Sequence, residues 1–177
     1  MEALQKESYT LEDIFALPDG ARAELFDGQI YYMSPPGTRH QALVMSISYA
    51  IKDHINKKGV SCMVFPSPFA VFLNNDDRNY VEPDISVICD KNKLNEKGCT
   101  GAPDWTVEIV SSSSQYVDYY KKLSKYGESG VKEYWIVDPD KEKVTVYNFI
   151  NSTVEEYSFN DDIPAGIYDD LTIKMNS

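Results

Sequence analysis

Short apolar stretches separated by polar turns run through most of the chain and predict a protein rich in β-strands. The stretches contain many β-branched and aromatic residues and are bounded by Gly, Pro, Asn or Asp, a pattern typical of strands. An Asp-Gly pair at 27–28 lies within the first stretch and predicts a β-hairpin over 23–33. The other predicted strands cover 60–65, 69–73, 81–89, 105–110, 133–137 and 143–149, with weaker candidates at 154–159 and 171–175.

Three segments have the spacing or the capping residues of helices. Thr10 and Asp13 form a capping-box pattern that begins a short N-terminal helix. Apolar residues recur at helical spacing over 38–58, and a glycine directly beyond that segment is a stop signal. A third helix is predicted over 116–128, where another glycine follows.

The order of these elements predicts an α/β fold with a mixed β-sheet flanked by helices. An N-terminal helix and a β-hairpin come first, a βαβ unit lies in the second half, and extra strands follow at the C-terminal end. The polar segment 90–104 is predicted to be a loop. With 177 residues and no linker-like stretch, we expect a single domain over 1–177.

Composition and cysteine usage are those of an ordinary water-soluble protein, with 42% hydrophobic and 25% charged residues. No apolar run is long enough to cross a membrane, and the first residues lack the apolar core of a signal peptide. We therefore expect a cytoplasmic protein with no membrane partner. Cys62, Cys89 and Cys99 lack metal-ligand spacing, and we expect them to be reduced, as is usual in that compartment.

Two carboxylates stand within predicted buried strands. Asp84 follows Glu82-Pro83 in one apolar stretch, and Glu108 lies in the middle of another. An ionised carboxylate on a buried strand is costly unless it is paired, hydrogen-bonded or bound to a metal. If the strands are neighbours, Asp84 and Glu108 converge on one cation, and Mg²⁺ favours one or two carboxylates together with water and phosphate oxygens. The pair indicates metal-dependent phosphodiester chemistry.

Lys122 is the candidate third member of such a site. Asp118, Lys122 and Tyr126 are spaced i, i+4, i+8 on the third predicted helix and share one face. If that face packs toward the two strand carboxylates, the lysine would hold the attacking water or stabilise charge in the transition state. The spacing equally fits a solvated helix face on which Asp118 and Lys122 form an ion pair.

The blocks that carry these residues also resemble a known family. Glu82-Pro83-Asp84 on one strand and Glu108-Ile109-Val110 on the next are similar to the PD-(D/E)xK nuclease superfamily, whose motif has a lysine where this chain has Val110. This departure is similar to the Uma-type bacterial restriction endonuclease family, in which the lysine lies on the following helix. The resemblance covers residues 10 to 147 and includes further blocks at 24–28, 33–40 and 130–139.

The resemblance implies a restriction-endonuclease-like core that hydrolyses DNA phosphodiester bonds with Mg²⁺, for which Mn²⁺ can substitute. It implies that Asp84 and Glu108 are the metal ligands and that Lys122 is the catalytic lysine. Glu24 would assist as an outer-shell or second-metal carboxylate, although its position equally fits an ordinary charged residue at the start of a strand. Proteins of this type tend to self-associate, so a homodimer is expected.

Four further residues are candidates for the lining of the site: His40, Glu82, Asp118 and Tyr126. His40 is in register with the apolar face of the helix over 38–58, a position that also fits a hydrogen-bonded core histidine. Glu82 lies two residues before Asp84 and hence on the same face of the strand. It would either add charge to the site or border it in solvent.

The net charge of −11 at pH 7 does not favour tight binding to DNA, because proteins that bind DNA usually present a basic face. It motivates a first alternative, a nuclease-fold protein with weak or no turnover that acts as a binding or regulatory module. The second alternative is a structural or oligomerising α/β protein in which the carboxylates simply pair with lysines.

Overall fold

The computed structural model describes residues 7–175, which contain three α-helices and thirteen strands. The helices are α1 (Leu11–Phe15), α2 (Thr38–Lys58) and α3 (Leu123–Ser129). A 3₁₀-helix covers Lys91–Lys93, and a π-helix, Val117–Lys122, leads directly into α3. The strands are β1 (Ala23–Phe26), β2 (Gln29–Tyr32), β3 (Met63–Pro66), β4 (Val71–Phe72), β5 (Ile85–Ile88), β6 (Leu94–Asn95), β7 (Gly98–Thr100), β8 (Trp105–Ile109), β9 (Glu133–Asp138), β10 (Lys143–Asn148), β11 (Thr153–Ser158), β12 (Ile163–Pro164) and β13 (Thr172–Ile173).

A six-stranded mixed sheet in the order β11-β10-β9-β8-β5-β3 forms the centre of the protein. β8 and β9 are parallel, and the π-helix and α3 provide the crossover between them, while the other neighbours in the sheet pair antiparallel. The parallel pair is buried along its whole length, as expected of strands covered on both faces. The predicted fold, a mixed sheet flanked by helices, is confirmed.

The two faces of β8 meet different helices, and this decides where Glu108 points. Trp105, Val107 and Ile109 pack with the apolar residues of α2 in one core. Because side chains alternate along a strand, Glu108 lies on the opposite face. The core on that second face contains Tyr126 from α3, so the carboxylate of Glu108 is directed toward the helix that carries the predicted lysine.

The β1–β2 hairpin packs beside the sheet and brings Glu24 to its edge. Asp27 and Gly28 have positive φ values of 51° and 81°, as two-residue hairpin turns of this hand require. A bridge between Leu25 and Tyr80 joins the hairpin to the segment that precedes β5. This bridge positions β1 alongside the residues leading to Asp84.

The expectation of reduced cysteines is wrong for two of the three. Cys62 and Cys89 form a disulfide, whereas Cys99 is a free, buried thiol as expected. The reason is the register of β3 against β5: Met63 pairs with Ile88, so the next pair outward places residue 62 opposite residue 89. A separation of 27 residues along the chain gives no sign of this pairing.

The segment 90–104 is not a simple loop. It contains the 3₁₀-helix and the short strands β6 and β7, and β7 pairs with β4 to make a separate three-stranded sheet. The polar, glycine-containing sequence concealed strands of only two and three residues. Of the helices within residues 7–175, none is long and apolar enough to span a bilayer.

Candidate active site

Asp84 and Glu108 lie next to each other across two paired strands. β5 and β8 are antiparallel with Ile85 opposite Val107, so the next pair outward places Asp84 opposite Glu108. The Ile109 backbone N–H donates to Asp84 Oδ2 at 2.8 Å, and the Asp84 N–H lies 3.4 Å from Glu108 Oε2. The sequence analysis assumed that the two strands are neighbours. The observed register of β5 against β8 does bring the two carboxylates together.

The ammonium of Lys122 is enclosed by three carboxylates. Its Nζ lies 2.9 Å from Glu108 Oε1, 3.0 Å from Glu24 Oε2 and 3.4 Å from Asp118 Oδ1. All four side chains are buried, and only 5% of the lysine side chain is exposed. We call Lys122, Glu24, Glu108 and Asp118 the inner cluster. The alternative of a solvated Asp118–Lys122 pair does not describe this arrangement, because both residues are buried against the sheet.

The helix beneath the inner cluster is not regular. The sequence predicts an α-helix over 116–128, but Val117–Lys122 forms a π-helix before α3 begins. Such segments are rare and are often found at functional sites. The predicted face is nevertheless preserved, because Tyr126 on α3 donates its hydroxyl to Glu108 Oε1 at 2.7 Å. The Tyr134 hydroxyl also donates to the backbone carbonyl of Asp118 at 2.9 Å.

Burial dominates the electrostatics of the inner cluster. Desolvation raises the pKa of Glu108 well above its ordinary value, and it also raises the pKa values of Glu24 and Asp118, although Lys122 opposes each shift. Burial of the Lys122 ammonium favours its neutral form, but the attraction of Glu108 and the other carboxylates outweighs it and the pKa of Lys122 is well above 10.5. The lysine is therefore a permanent cation rather than a proton acceptor near neutral pH.

Asp84 and His40 form a second, more open group, which we call the outer pair. His40 lies in the first turn of α2, and its Nε2 is 3.0 Å from Asp84 Oδ2. Burial lowers the pKa of His40, but its hydrogen bond and charge interaction with Asp84 reverse the balance and raise it above the ordinary value. His40 Nδ1 has no hydrogen-bond partner among the described residues. His40 therefore contacts the site, which is the first of the two interpretations that its position in the sequence allowed.

Glu82 lies beside the site rather than in it. Its carboxylate accepts from Arg22 Nε at 2.8 Å and from the Tyr80 hydroxyl at 2.7 Å. Its backbone N–H donates to Glu24 Oε1 at 3.0 Å and so helps to position the inner cluster. The other candidate residues do converge on the site: Glu24, Asp84, Glu108, Lys122, Asp118, Tyr126 and His40.

Arg22 is a residue that the sequence interpretation missed. Its guanidinium binds Glu82 and donates from Nη2 to the Ser67 hydroxyl at 2.7 Å, and it lines the same cleft as Asp84. No local pattern distinguishes this arginine, which directly precedes β1. Only the bridge between the hairpin and the segment before β5 brings it to the site.

An open cleft of about 680 Å³ gives access to both groups. One wall comes from the end of β2 and the turn before α2, and the opposite wall comes from the serine-rich turn at 111–114. In that turn the Ser111 N–H donates to Ser114 Oγ at 3.0 Å. The Asp118 backbone N–H in turn donates to the Ser114 carbonyl oxygen at 2.9 Å. The serines therefore tie the wall of the cleft to the π-helix.

The open oxygen positions suit a small hard cation. Within residues 7–175, no hydrogen bond reaches Asp84 Oδ1, and Glu108 Oε2 has only the 3.4 Å contact from the Asp84 N–H. No group of three or more His, Cys, Asp or Glu side chains in this range has the arrangement of a metal site. A pair of carboxylates is nevertheless sufficient for Mg²⁺, which retains water and phosphate oxygens as its other ligands.

Comparison with known proteins identifies a solved structure with the same fold and a relative in sequence. A crystal structure of "a putative nuclease belonging to DUF820" from Anabaena variabilis ATCC 29413 superposes with a TM-score of 0.76, covers 94% of each chain and is 23% identical in sequence. This likeness shows that the two proteins share a fold. A curated relative, the uncharacterized protein slr1290 of Synechocystis sp., is 27% identical over 126 residues, which cover 71% of this chain and 65% of the relative.

Residues 10–169 match the model of the Uma2 family, described as "Putative restriction endonuclease", and the chain belongs to that family. The resemblance inferred from the sequence motifs is thereby confirmed, and the match extends beyond residue 147, where the inferred resemblance ends.

Proposed function

We propose that this member of the nuclease family is a Mg²⁺-dependent endonuclease that hydrolyses phosphodiester bonds of DNA. One observation carries the proposal. Asp84 and Glu108 have open oxygens that face a cleft, and they lie beside the buried and positively charged Lys122. The family match supports nuclease chemistry, and the metal, the DNA substrate and the catalytic roles below are our inferences.

Asp84 Oδ1 and Glu108 Oε2 would hold the Mg²⁺ ion. When bound, the ion would activate water and neutralise charge on the phosphate. The same two carboxylates, with Glu24 and Asp118, carry more negative charge than Lys122 balances, which favours the binding of a cation. His40 would fix the orientation of Asp84 through its Nε2 contact.

Lys122 would stabilise the negative charge that develops on the phosphate oxygens in the transition state. Its ammonium remains protonated because the surrounding carboxylates hold its pKa well above 10.5. A fixed cation in a site shielded from water is worth more than the same charge in solvent. Glu24 would position this ammonium, because both of its oxygens are already engaged by Lys122 and by the Glu82 N–H.

The test is cleavage of single-stranded DNA and of plasmid DNA by the purified protein with Mg²⁺, with Mn²⁺ and with EDTA. Asp84→Asn and Lys122→Ala should each abolish metal-dependent cleavage. Glu82→Gln is the matched control, because it removes a carboxylate only two residues from Asp84 that does not line the cleft. Cleavage that persists in both site variants would defeat the assignment of these roles.

A nuclease-fold module without turnover is the second candidate. It is favoured by the net charge of −11 and by the enclosure of Lys122, whose three carboxylate partners leave its ammonium little access to the cleft. Titration calorimetry with Mg²⁺ and Mn²⁺ separates the two ideas. The inert module is favoured if neither ion binds in a manner that depends on Asp84.

We also infer that the protein forms a homodimer. Met45 and Tyr49 are separated by one helical turn on α2, and about 70% of each side chain is exposed. Exposed apolar side chains that share one helix face often mark an interface. Sedimentation of the wild-type protein beside Met45→Glu/Tyr49→Glu tests this inference, which fails if both proteins sediment as monomers.

A further inference from the structure

A second hollow, of about 400 Å³, is lined by residues of the same hairpin and helical segment that contribute to the active-site cleft. The β1–β2 hairpin contributes Gln29 to the hollow and Tyr32 to the cleft. The helical segment contributes Tyr120 to the hollow and Val117 to the cleft. Because the same two elements line both, a chain bound in the cleft can continue between them into the hollow.

Exposed tyrosines mark this path. Tyr116 and Tyr120 lie one turn apart in the hollow, with 61% and 67% of their side chains exposed. Their ring centroids are 5.6 Å apart and the ring planes differ by 35°. Tyr32, at the cleft, is 68% exposed. These exposed rings belong to none of the apolar core clusters, and they provide flat faces onto which planar ligands can stack.

The charges along the path do not suit duplex DNA. The hollow contains Lys121 and Lys125, but the ammonium of Lys125 is already 2.7 Å from Asp27 Oδ1. Glu128 also lines the hollow, and the cleft itself contains more carboxylates than cations. A duplex binds mainly through its phosphates, so it needs a basic face, and its base faces are hidden within the stack. An unpaired strand exposes its bases to aromatic side chains.

We propose that the substrate is single-stranded nucleic acid, whose bases stack on Tyr116 and Tyr120 while a phosphate lies at Asp84 and Glu108. This substrate assignment rests on the proposed function, since the cleft is taken as the place of cleavage. Stacking would supply the affinity that an acidic protein cannot gain from phosphate contacts. It would also make binding less dependent on salt than binding through phosphates alone.

Fluorescence anisotropy with an oligonucleotide of about 20 nucleotides, single-stranded or annealed to its complement, tests the proposal. All proteins carry Asp84→Asn, so that the probe stays intact and binding is read without cleavage. The double substitution Tyr116→Ala/Tyr120→Ala removes both rings, and Tyr116→Phe/Tyr120→Phe keeps them. Phe15→Ala is the matched control, an aromatic ring on α1 that is 65% exposed and lines neither cavity.

The single strand should bind at least about tenfold more tightly than the duplex. Loss of both rings, at about tenfold for each, should weaken binding about 100-fold. The Phe variant should stay within about twofold of the parent, because stacking needs only the ring. The Phe15→Ala control should also stay within about twofold, because this ring lines neither cavity. A probe with 2-aminopurine should lose fluorescence on binding to the parent and regain it with the Ala variant.

The proposal is overturned if the duplex binds as tightly as the single strand, or if the Ala variant binds normally. It is also overturned if the Ala substitutions instead dissociate a dimer in sedimentation, which would make the tyrosines an interface with a second copy. A different result separates the two proposals: intact stacking with no cleavage by the wild-type protein defeats the proposed function and leaves single-strand binding standing.

Discussion

The inner cluster and the outer pair are adjacent, yet they differ in how completely their charges are satisfied. In the inner cluster every carboxylate contacts the Lys122 ammonium, and the side chains are at most 5% exposed. In the outer pair, Asp84 is 15% exposed, faces the cleft and has an oxygen without a hydrogen bond among the described residues. Glu108 belongs to both environments, with one oxygen directed to Lys122 and the other toward Asp84.

The difference teaches that one site divides two tasks between neighbouring carboxylates. Buried ion pairs are held together because removal of one member leaves the others uncompensated. The inner cluster therefore provides a rigid base for the lysine, whereas the outer pair provides open positions for a ligand. Substitutions in the inner cluster should lower both stability and activity, and those in the outer pair should lower mainly activity.

The largest effect is expected from Lys122→Met. The substitution leaves three buried carboxylates without a cation, so the free energy of unfolding should fall by about 3–5 kcal/mol and cleavage should be lost. Urea denaturation near neutral pH in EDTA measures the stability. Lys125→Met is the control: its partner Asp27 is largely exposed, so a loss below about 1 kcal/mol is expected. Equal losses in the two variants would contradict the inner cluster as described.

Asp84→Asn should lose activity without losing stability. Cleavage should fall at least about 100-fold, because a metal ligand is lost, while the urea midpoint in EDTA should change little. Addition of Mg²⁺ should raise the melting temperature of the wild-type protein but not that of the variant, since only a folded state that binds the ion is stabilised. A variant that is strongly destabilised without metal would show that Asp84 belongs with the inner cluster.

Tyr126→Phe tests a smaller contribution to the inner cluster. It removes only the hydroxyl that donates to Glu108 Oε1, and a hydrogen bond to a charged group contributes about 1.5–3 kcal/mol. The melting temperature and urea midpoint should fall accordingly. Tyr120→Phe, at an exposed position on the same helical segment, should change neither. If both variants have the melting temperature and urea midpoint of the wild-type protein, the hydrogen bond from Tyr126 to Glu108 does not contribute to stability.

The most gradual effect is expected from pH. Desolvation by burial raises the pKa of Glu108 well above 4.5, so the folded protein binds this proton more tightly than the unfolded chain does. The free energy of unfolding in EDTA should therefore decrease as pH rises from 4.5 through the folded-state pKa. Glu108→Gln should flatten this decrease, whereas Glu156→Gln, at a largely exposed carboxylate, should retain it. Parallel curves for all three proteins would refute the assigned shift.

The parts of the site that sequence could predict are those governed by local periodicity. Asp84 and Glu108 stand out because a carboxylate within a β-branched run is unusual, and two-residue alternation gives each one a face. Asp118, Lys122 and Tyr126 share a face by helical spacing, and this held although part of the helix is π-helical. These contacts depend on one element at a time or on neighbouring strands.

The parts that sequence could not predict depend on how distant elements pair. The Arg22–Glu82 contact joins residues 60 positions apart and requires the bridge between the hairpin and the segment before β5. The Cys62–Cys89 disulfide requires the register of β3 against β5. Neither follows from composition or spacing, because many registers bury the same apolar residues. The order of strands in the sheet was likewise open until the structure was known.

The π-helix has a consequence for how the lysine could respond to a ligand. A π-helical turn is held by less favourable backbone hydrogen bonds than an α-helix, so Val117–Lys122 should be the softest stretch in an otherwise stiff framework. Amide hydrogens there should exchange with deuterium sooner than those of α3. Three carboxylates hold the ammonium of Lys122 in place, so any adjustment to a bound ligand should fall on the backbone of this turn, while the strands beneath it keep their positions.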